Sequence, residues 1–283
     1  MKEITVVKYR QGMALEAAGD GPCAVYIGRA MPKLNLAASP LANRFRIERG
    51  RSREAAIDRY REEQEARLRA QDPELIGELA RLRRLAWRRP LALACWCAPE
   101  ACHGDVVKEW LEPPRRYTGV GARKTPTEIL DLMERIGELM AERGYVLETG
   151  DAWGADHAFA VGAEGAGGDM RRYAAKDARP ESIAIARQYH PAWHRVPNDS
   201  RKLHGRNPFQ VLGEDLITPV RFLVCWTPDG ALTHAERSIR TGGTGTAISI
   251  ADAHGVPVYN LARPSHRERW ELWTERWWDI AGP

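Results

Sequence analysis

The run 220–227, VRFLVCWT, constrains the fold more than any other stretch of the chain. It is almost continuously apolar, too short for a core-spanning helix, and lacks the polar–apolar alternation of a half-exposed strand. Such a run fits a strand buried on both faces, the kind parallel sheets contain. A strand of that kind needs helices on both sides, and the neighbouring sequence supplies them. RRYTGVGAR holds a short strand ending in Gly119 and Gly121, YVLETG a second strand and VPVYNL a last one. Between them, TPTEILDLMERIGELMAERG (125–144), DAWGADHAFAVGA and GTAISIADAHG have helical character. In 125–144, Thr125 is placed to cap the helix, Pro126 to open it and Glu128 to complete a capping box. Ile129, Leu132, Met133, Ile136, Leu139 and Met140 form its apolar face, and Gly144 its stop. Strands alternating with helices in this way predict a doubly wound parallel sheet.

Two prolines in LEPPRRYTG (111–119) break the chain upstream of this pattern, predicting domains at 1–114 and 115–283. The first half reads as a second, smaller α/β domain. CAVYIGR (23–29) and PLALACWC (90–97) have the look of buried strands, 52–70 and 73–87 of amphipathic helices, and a further helix follows CHGD.

Hydrophobic residues make up 43% of the 283 and charged residues 28%, enough apolar material for a packed core. No run of about 18 apolar residues is present, so no membrane partner is expected. MKEITVVKYR carries no apolar signal core, and the expectation is a cytoplasmic protein. The net charge of +4 is mildly basic, with a local excess between Arg44 and Arg89 of 14 Arg over 9 Asp plus Glu. That stretch reads either as a solvated helical face of mixed charge or as a phosphate-facing surface. The five cysteines, odd in number and unevenly spaced, read as thiols. Trp270, Trp273, Trp277 and Trp278 fall at near-helical spacing, as expected of a helix closing over the core.

The loop TGGTGT (241–246) precedes the helix GTAISIADAHG. Backbone N–H groups at a helix start are unpaired and the helix dipole favours an anion there, while glycines allow close approach. In doubly wound sheets ligands sit at the carboxyl ends of the strands. Four segments end strands in that way: TGVGAR, TGDAWGAD, CWTPDG and TGGTGT. They bring Gly119, Gly121, Arg123, Gly150, Gly154, Thr227, Gly242, Gly243, Thr244, Gly245 and Thr246 forward as ligand-binding candidates.

The stretch YTGVGARKTPTEILDLMERIGELMAERGYVLETGDAWGADHAF resembles the opening of the superfamily of DNA-processing protein A and the cytokinin-activating phosphoribohydrolases, known as SLOG. GGTGTAISIADAHGVPVYNL is similar to its second loop, helix and last strand, so the resemblance spans roughly residues 117–262. The intervening segment resembles a branch common on bacteriophages and mobile elements. The likeness implies a Rossmann-like fold that binds nucleotides, nucleotide-derived signals or nucleic acid. It aligns Gly121 and Arg123 with the first loop, Gly150, Gly154 and Asp156 with the second, and Gly242, Gly243, Gly245 and Thr246 with the phosphate loop. Arg123 reads as a phosphate or carboxylate partner or as a surface arginine, and Asp156 as a ribose or acid/base group or as a helix cap. The hydrolase branch carries Glu two residues after its Gly-Thr pair, where this chain has Ile248. A substitute carboxylate would have to come from Glu148, Asp151 or Asp156.

The first half carries LACWCAPEACHGDVV. Zinc takes four tetrahedral ligands, and Cys95, Cys97, Cys102 and His103 would supply them, but adjacent Cys102 and His103 cannot readily turn to one ion. Alternatively Cys102 is a nucleophile at a helix start, assisted by His103 or Asp105. In the third reading Cys95 and Cys97 share one side of a strand and Asp105 caps a helix. The site is expected to hold no metal, and no cofactor is expected. VYIGRAMPKLNLAASPLANRF, AIDRYR and LACWCAPEACHGDVV resemble an uncharacterised bacterial and phage family. The likeness brings forward Gly28, Arg29, Asn43, Tyr60, Cys102, His103 and Asp105, with Asn-Arg-Phe here where that family has Asn-Pro-Phe.

The expected function is recognition of a nucleotide or nucleoside derivative, with processing of its N-glycosidic bond by Asp151 or Asp156 and a second site at Cys102, His103 and Asp105. Single-stranded DNA binding through Arg44–Arg89 and 187–206, and a non-catalytic nucleotide sponge or sensor, are the alternatives. A homo-oligomer is left open.

Overall fold

The computed structural model describes residues 1–17, 19, 21–47, 52–150 and 152–275. Asp151, Trp277 and Trp278 lie outside the described residues. The chain forms two compact units, Met1–Glu112 and Pro113–Pro283.

The first unit is a three-stranded parallel sheet with helices. β1 (Ile4–Lys8) and β2 (Cys23–Tyr26) flank β3 (Leu91–Cys95), in the order β1-β3-β2. All five residues of β3 are buried, as a central parallel strand requires. β1, with the sequence ITVVK, is a strand that the sequence analysis does not predict. α1 (Arg53–Arg69) starts at Ser52, whose hydroxyl accepts the Ala55 N–H. α2 (Pro73–Arg88) starts at Asp72, whose carboxylate accepts the N–H groups of Glu74 and Leu75. Each cap satisfies donors that a helix start leaves open. α3 (His103–Leu111) follows the cysteine-bearing loop.

The second unit is a Rossmann-like, doubly wound α/β fold. Its parallel sheet runs β6 (Met170–Arg172), β5 (Val146–Thr149), β4 (Arg116–Gly121), β7 (Phe222–Trp226), β8 (Val258–Asn260). α4 (Thr127–Glu142), α5 (Ala155–Gly165) and α10 (Pro264–Glu275) bury one face in a cluster with Tyr117, Phe159, Phe222, Trp270 and Trp273. α6 (Pro180–Tyr189), α8 (Asn207–Leu212) and α9 (Thr244–Ala253) bury the other with Phe209, Leu223, Ile248 and Ile250. α7 (Asn198–Gly205) precedes α8. Trp270 and Trp273 thus close over the sheet of their own unit.

The start of α4 corrects one expectation. Pro126 holds the N-cap position with no side-chain bond, and the Thr125 hydroxyl instead donates to the Ala122 carbonyl at 2.7 Å. The short turn between β4 and the helix recruits that hydroxyl, so Thr125 and Glu128 make no capping box. Gly144 does end the helix, at φ +70°. No helix among the described residues is long and apolar enough to cross a membrane.

Candidate functional site

The second unit opens a cleft of about 510 Å³ at the carboxyl ends of β4 and β7. β4 comes first in this sheet's chain order, with β5 and β6 on one side of it and β7 and β8 on the other. The crevice between β4 and β7 is therefore the topological switch point, where such folds bind ligands. Gly121, Ala122, Arg123 and Lys124 line it after β4, and Trp226 and Pro228 after β7. Arg240 and Gly242–Thr244 line it before α9, with Asp156 from α5 and His204, Arg206, Asn207 and Gln210 from α7 and α8.

The glycine loop is shaped by its anchors. Gly242 sits at φ +62°, a conformation that favours glycine, and Gly243 caps α9 with open space around its α-carbon. Asp229 fixes the loop from behind by accepting from the hydroxyls of Ser238, Thr241 and Thr227. Burial opposes ionisation of Asp229, but those three hydroxyls and the Ala231 N–H outweigh it and hold the carboxyl at about 2. Gly242, Gly243 and Thr244 reach the cleft. Gly245 and Thr246 are covered: a Cβ on Gly245 would meet the Arg237 guanidinium, and the Thr246 hydroxyl lies 3.1 Å from His204 Nδ1.

Asp156 is buried in the first turn of α5, where Gly154 at φ +89° holds the N-cap. A Cβ on Gly154 would press on the Ala122 carbonyl and Arg123. The Asp156 carboxylate accepts backbone N–H groups of Gly121, Ala152 and Gly150, tying together the ends of β4 and β5. Desolvation pushes its pKa up to about 6, against the opposing pull of Arg206 and those three donors. His204 is pushed down to about 4 by burial and by His190, Arg237 and Arg206. Among the described residues neither Gln210 amide atom has a hydrogen-bond partner, although the residue is 1% exposed and lines the cleft. Buried amides are nearly always partnered, so this one is a candidate ligand contact.

The remaining candidates serve the frame. Gly119 lies against Phe159, where no Cβ fits. Gly150 packs under Asp156, Gln210 and Arg206. Fully buried Thr227 donates to the half-buried Asp229 and accepts from fully buried Asn260. Glu148 is buried and committed to Arg116, at 2.8 Å, and the Tyr173 hydroxyl, at 2.7 Å, so it does not line the cleft. Sequence reasoning missed His204, Arg206, Asn207, Gln210 and Arg240. HGRNPFQ (204–210) and the arginine before the glycine loop were the only available signals.

The first unit has its own cleft, of about 600 Å³, lined by Gly28, Arg29, Asn43, Arg53, Trp96, Cys97, Cys102 and His103 among others. Asn43 is held by local bonds, accepting the Phe45 N–H and donating to the Ala56 carbonyl. A Cβ on Gly28 would strike the Tyr26 ring, whose hydroxyl donates to the Arg29 carbonyl. The Tyr60 hydroxyl donates to the Leu41 carbonyl. Cys102 caps α3, its sulfur accepting the Gly104 N–H at 3.2 Å, and Asp105 completes the capping box from the third helical position. His103 Nε2 lies 2.9 Å from the Ile27 carbonyl. A carbonyl only accepts, so Nε2 carries the proton. Hydrogen bonds from Cys102, Cys95 and His103 lower the Cys97 pKa far below an ordinary thiol. In the arginine-rich stretch, Arg44, Arg61, Arg67, Arg69 and Arg81 pair with Glu63, Glu109, Asp72, Glu65 and Glu78.

Residues 14–113 match the family model described as a domain of unknown function, DUF4326. No curated protein sequence matches the chain.

Proposed function

We propose that the second unit binds a nucleotide or nucleoside derivative in the cleft between β4 and β7. The observation that carries this reading is the convergence of three features at the topological switch point: the open N-terminus of α9 at Gly242–Thr244, the cations Arg123 and Arg240, and the buried carboxyl of Asp156. The helix start and guanidinium groups suit a phosphate. Asp156 suits a ribose hydroxyl, and the unpartnered Gln210 amide offers a donor and an acceptor to a base edge. The resemblance of 117–262 to the SLOG superfamily supports the same ligand class.

Asp156 and the neutral imidazole of His204 are the titratable proton carriers in the described lining, so cleavage or transfer at the N-glycosidic bond is the reaction we propose for this site. The hydrolase glutamate is replaced by Ile248, which is fully buried on the sheet side of α9. Asp156 would have to serve in its stead. Incubation of the full chain with nucleoside 5′-monophosphates tests both halves of the proposal: bound nucleotide marks recognition, and free base in the supernatant marks turnover. Single-stranded DNA binding has less support, because six of the fourteen arginines between Arg44 and Arg89 are already paired with acids among the described residues.

A further inference from the structure

The loop between β3 and α3 gathers three sulfurs. Cys95 ends β3, and Cys97 follows two residues later in the bend that leaves the strand. Cys102 stands at the N-cap of α3 with φ −156°, an extended backbone that turns its side chain back toward β3. The Cys95 and Cys102 sulfurs lie 3.3 Å apart, and those of Cys95, Cys97 and Cys102 all lie within 4.8 Å of one another. Two thiolates sharing a tetrahedral zinc lie about 3.8 Å apart, given a Zn–S bond of about 2.3 Å. All three of these cysteines are free thiols.

We propose that Cys95, Cys97 and Cys102 bind one zinc-class divalent ion, whose fourth coordination position faces the cleft of the first unit. The adjacency of Cys102 and His103 argues against a ligand set containing both, and His103 Nε2 is committed to the Ile27 carbonyl while the ring hydrogen-bonds the Cys97 sulfur from beside the cluster. It does not argue against three sulfurs. Cys97 and Cys102 line the cleft, so a water or a ligand donor entering there completes the tetrahedron, the arrangement of a zinc site open to substrate. Arg29 and Arg46 line the same cleft and offset the net negative charge of a trithiolate–zinc centre, while Arg53 is paired with Glu100. Binding replaces three S–H bonds by three metal–sulfur bonds and releases the three thiol protons to solvent.

The test uses the reduced full chain and Co²⁺, followed by Zn²⁺. One equivalent of Co²⁺ should produce thiolate-to-cobalt charge transfer and the visible bands of a tetrahedral ion, and Zn²⁺ should displace it. Alkylation with counting by peptide mass should show Zn²⁺ protecting Cys95, Cys97 and Cys102 while Cys23 and Cys225 react at unchanged rates. Cys97→Ser should weaken metal binding about 100-fold or more, beyond the cost of losing an outer-sphere partner. The protection experiment stands even where that variant fails to fold. No charge-transfer band at one equivalent, protection spread over all five cysteines, or isolation as a Cys95–Cys102 disulfide that takes up no metal would each overturn the proposal.

Discussion

Arg206 reaches from the start of α8 to the strand ends: its guanidinium donates to the Gly150 carbonyl and lies 3.9 Å from the Asp156 carboxylate. One cation thereby holds the insertion between β6 and β7 against the loops that surround Asp156. Desolvation raises the Asp156 pKa to about 6 and Arg206 opposes it. Asp156 should therefore titrate near pH 6 in carboxyl-resolved ¹³C spectra, and in Arg206→Ala it should titrate higher still. A folded pKa above the unfolded one favours the fold below about pH 4, and that advantage is lost as pH rises through about 6. Relative to Asp156→Ala, wild type should lose about 3 kcal/mol across that window, for a shift of about two units.

His204 carries the opposite sign. Its folded pKa, about 4, lies below the usual histidine value, so the stability it contributes is present above about pH 6.5 and lost as pH falls toward 4. His204→Gln should flatten the acid limb of the unfolding curve, measured by urea melts at stepped pH. An unchanged acid limb would show that the imidazole is not held neutral.

Gln210 separates stability from binding. Replacing its buried, unpartnered amide by the near-isosteric methionine removes a desolvation cost of about 1–3 kcal/mol. Gln210→Met should melt at or above the wild-type temperature while binding nucleotide about tenfold or more weakly. A destabilised variant with unchanged affinity would make Gln210 a frame residue.

The glycine loop gives a pair of contrasting variants. Gly243 has ordinary helical angles and open space, so Gly243→Val should fold with a cost under about 1 kcal/mol and lose nucleotide affinity. Gly242 has equal space but a φ of +62°, so Gly242→Val should be strained by about 1–2 kcal/mol. Gly245→Val is a poorer probe, because it displaces Arg237, which bonds Tyr189 and Ser249.

Residues 115–283 should fold without the first half. Trp270 and Trp273, the large apolar residues most exposed to a wrong division, pack with Phe222 and Tyr259 inside their own unit. A chain beginning at Arg115 should be monodisperse and unfold cooperatively, and aggregation would contradict this.

The doubly wound sheet was legible because its elements carry strong periodic signals: VRFLVCWT is buried throughout its strand core, and α4 presents a continuous apolar face. β1 was not legible although ITVVK is as long as β3 and rich in β-branched residues, because its turn glycine, Gly12, stands four residues beyond the strand end. The site was half legible. Its glycine loops announce themselves by composition, whereas Arg206, Asn207 and Gln210 arrive on short helices broken by Pro191, Pro197 and Pro208, with no repeating stripe to read. Asp156 was named from sequence, but its role as hub for three loops depends on Gly154 turning the chain. The spacing of Cys95, Cys97 and Cys102 names three sulfurs but not their distances, which depend on how the strand end and the helix cap bring them together.

The most direct test of nucleotide recognition in the β4–β7 cleft is a ¹⁵N–¹H titration of the full chain with the four ribonucleoside 5′-monophosphates. The account predicts that at least one shifts the amides of Gly242, Gly243 and Thr244 together with the Gln210 side-chain NH₂. Absence of shifts at those positions at millimolar nucleotide, or shifts confined to Met1–Glu112, would contradict it.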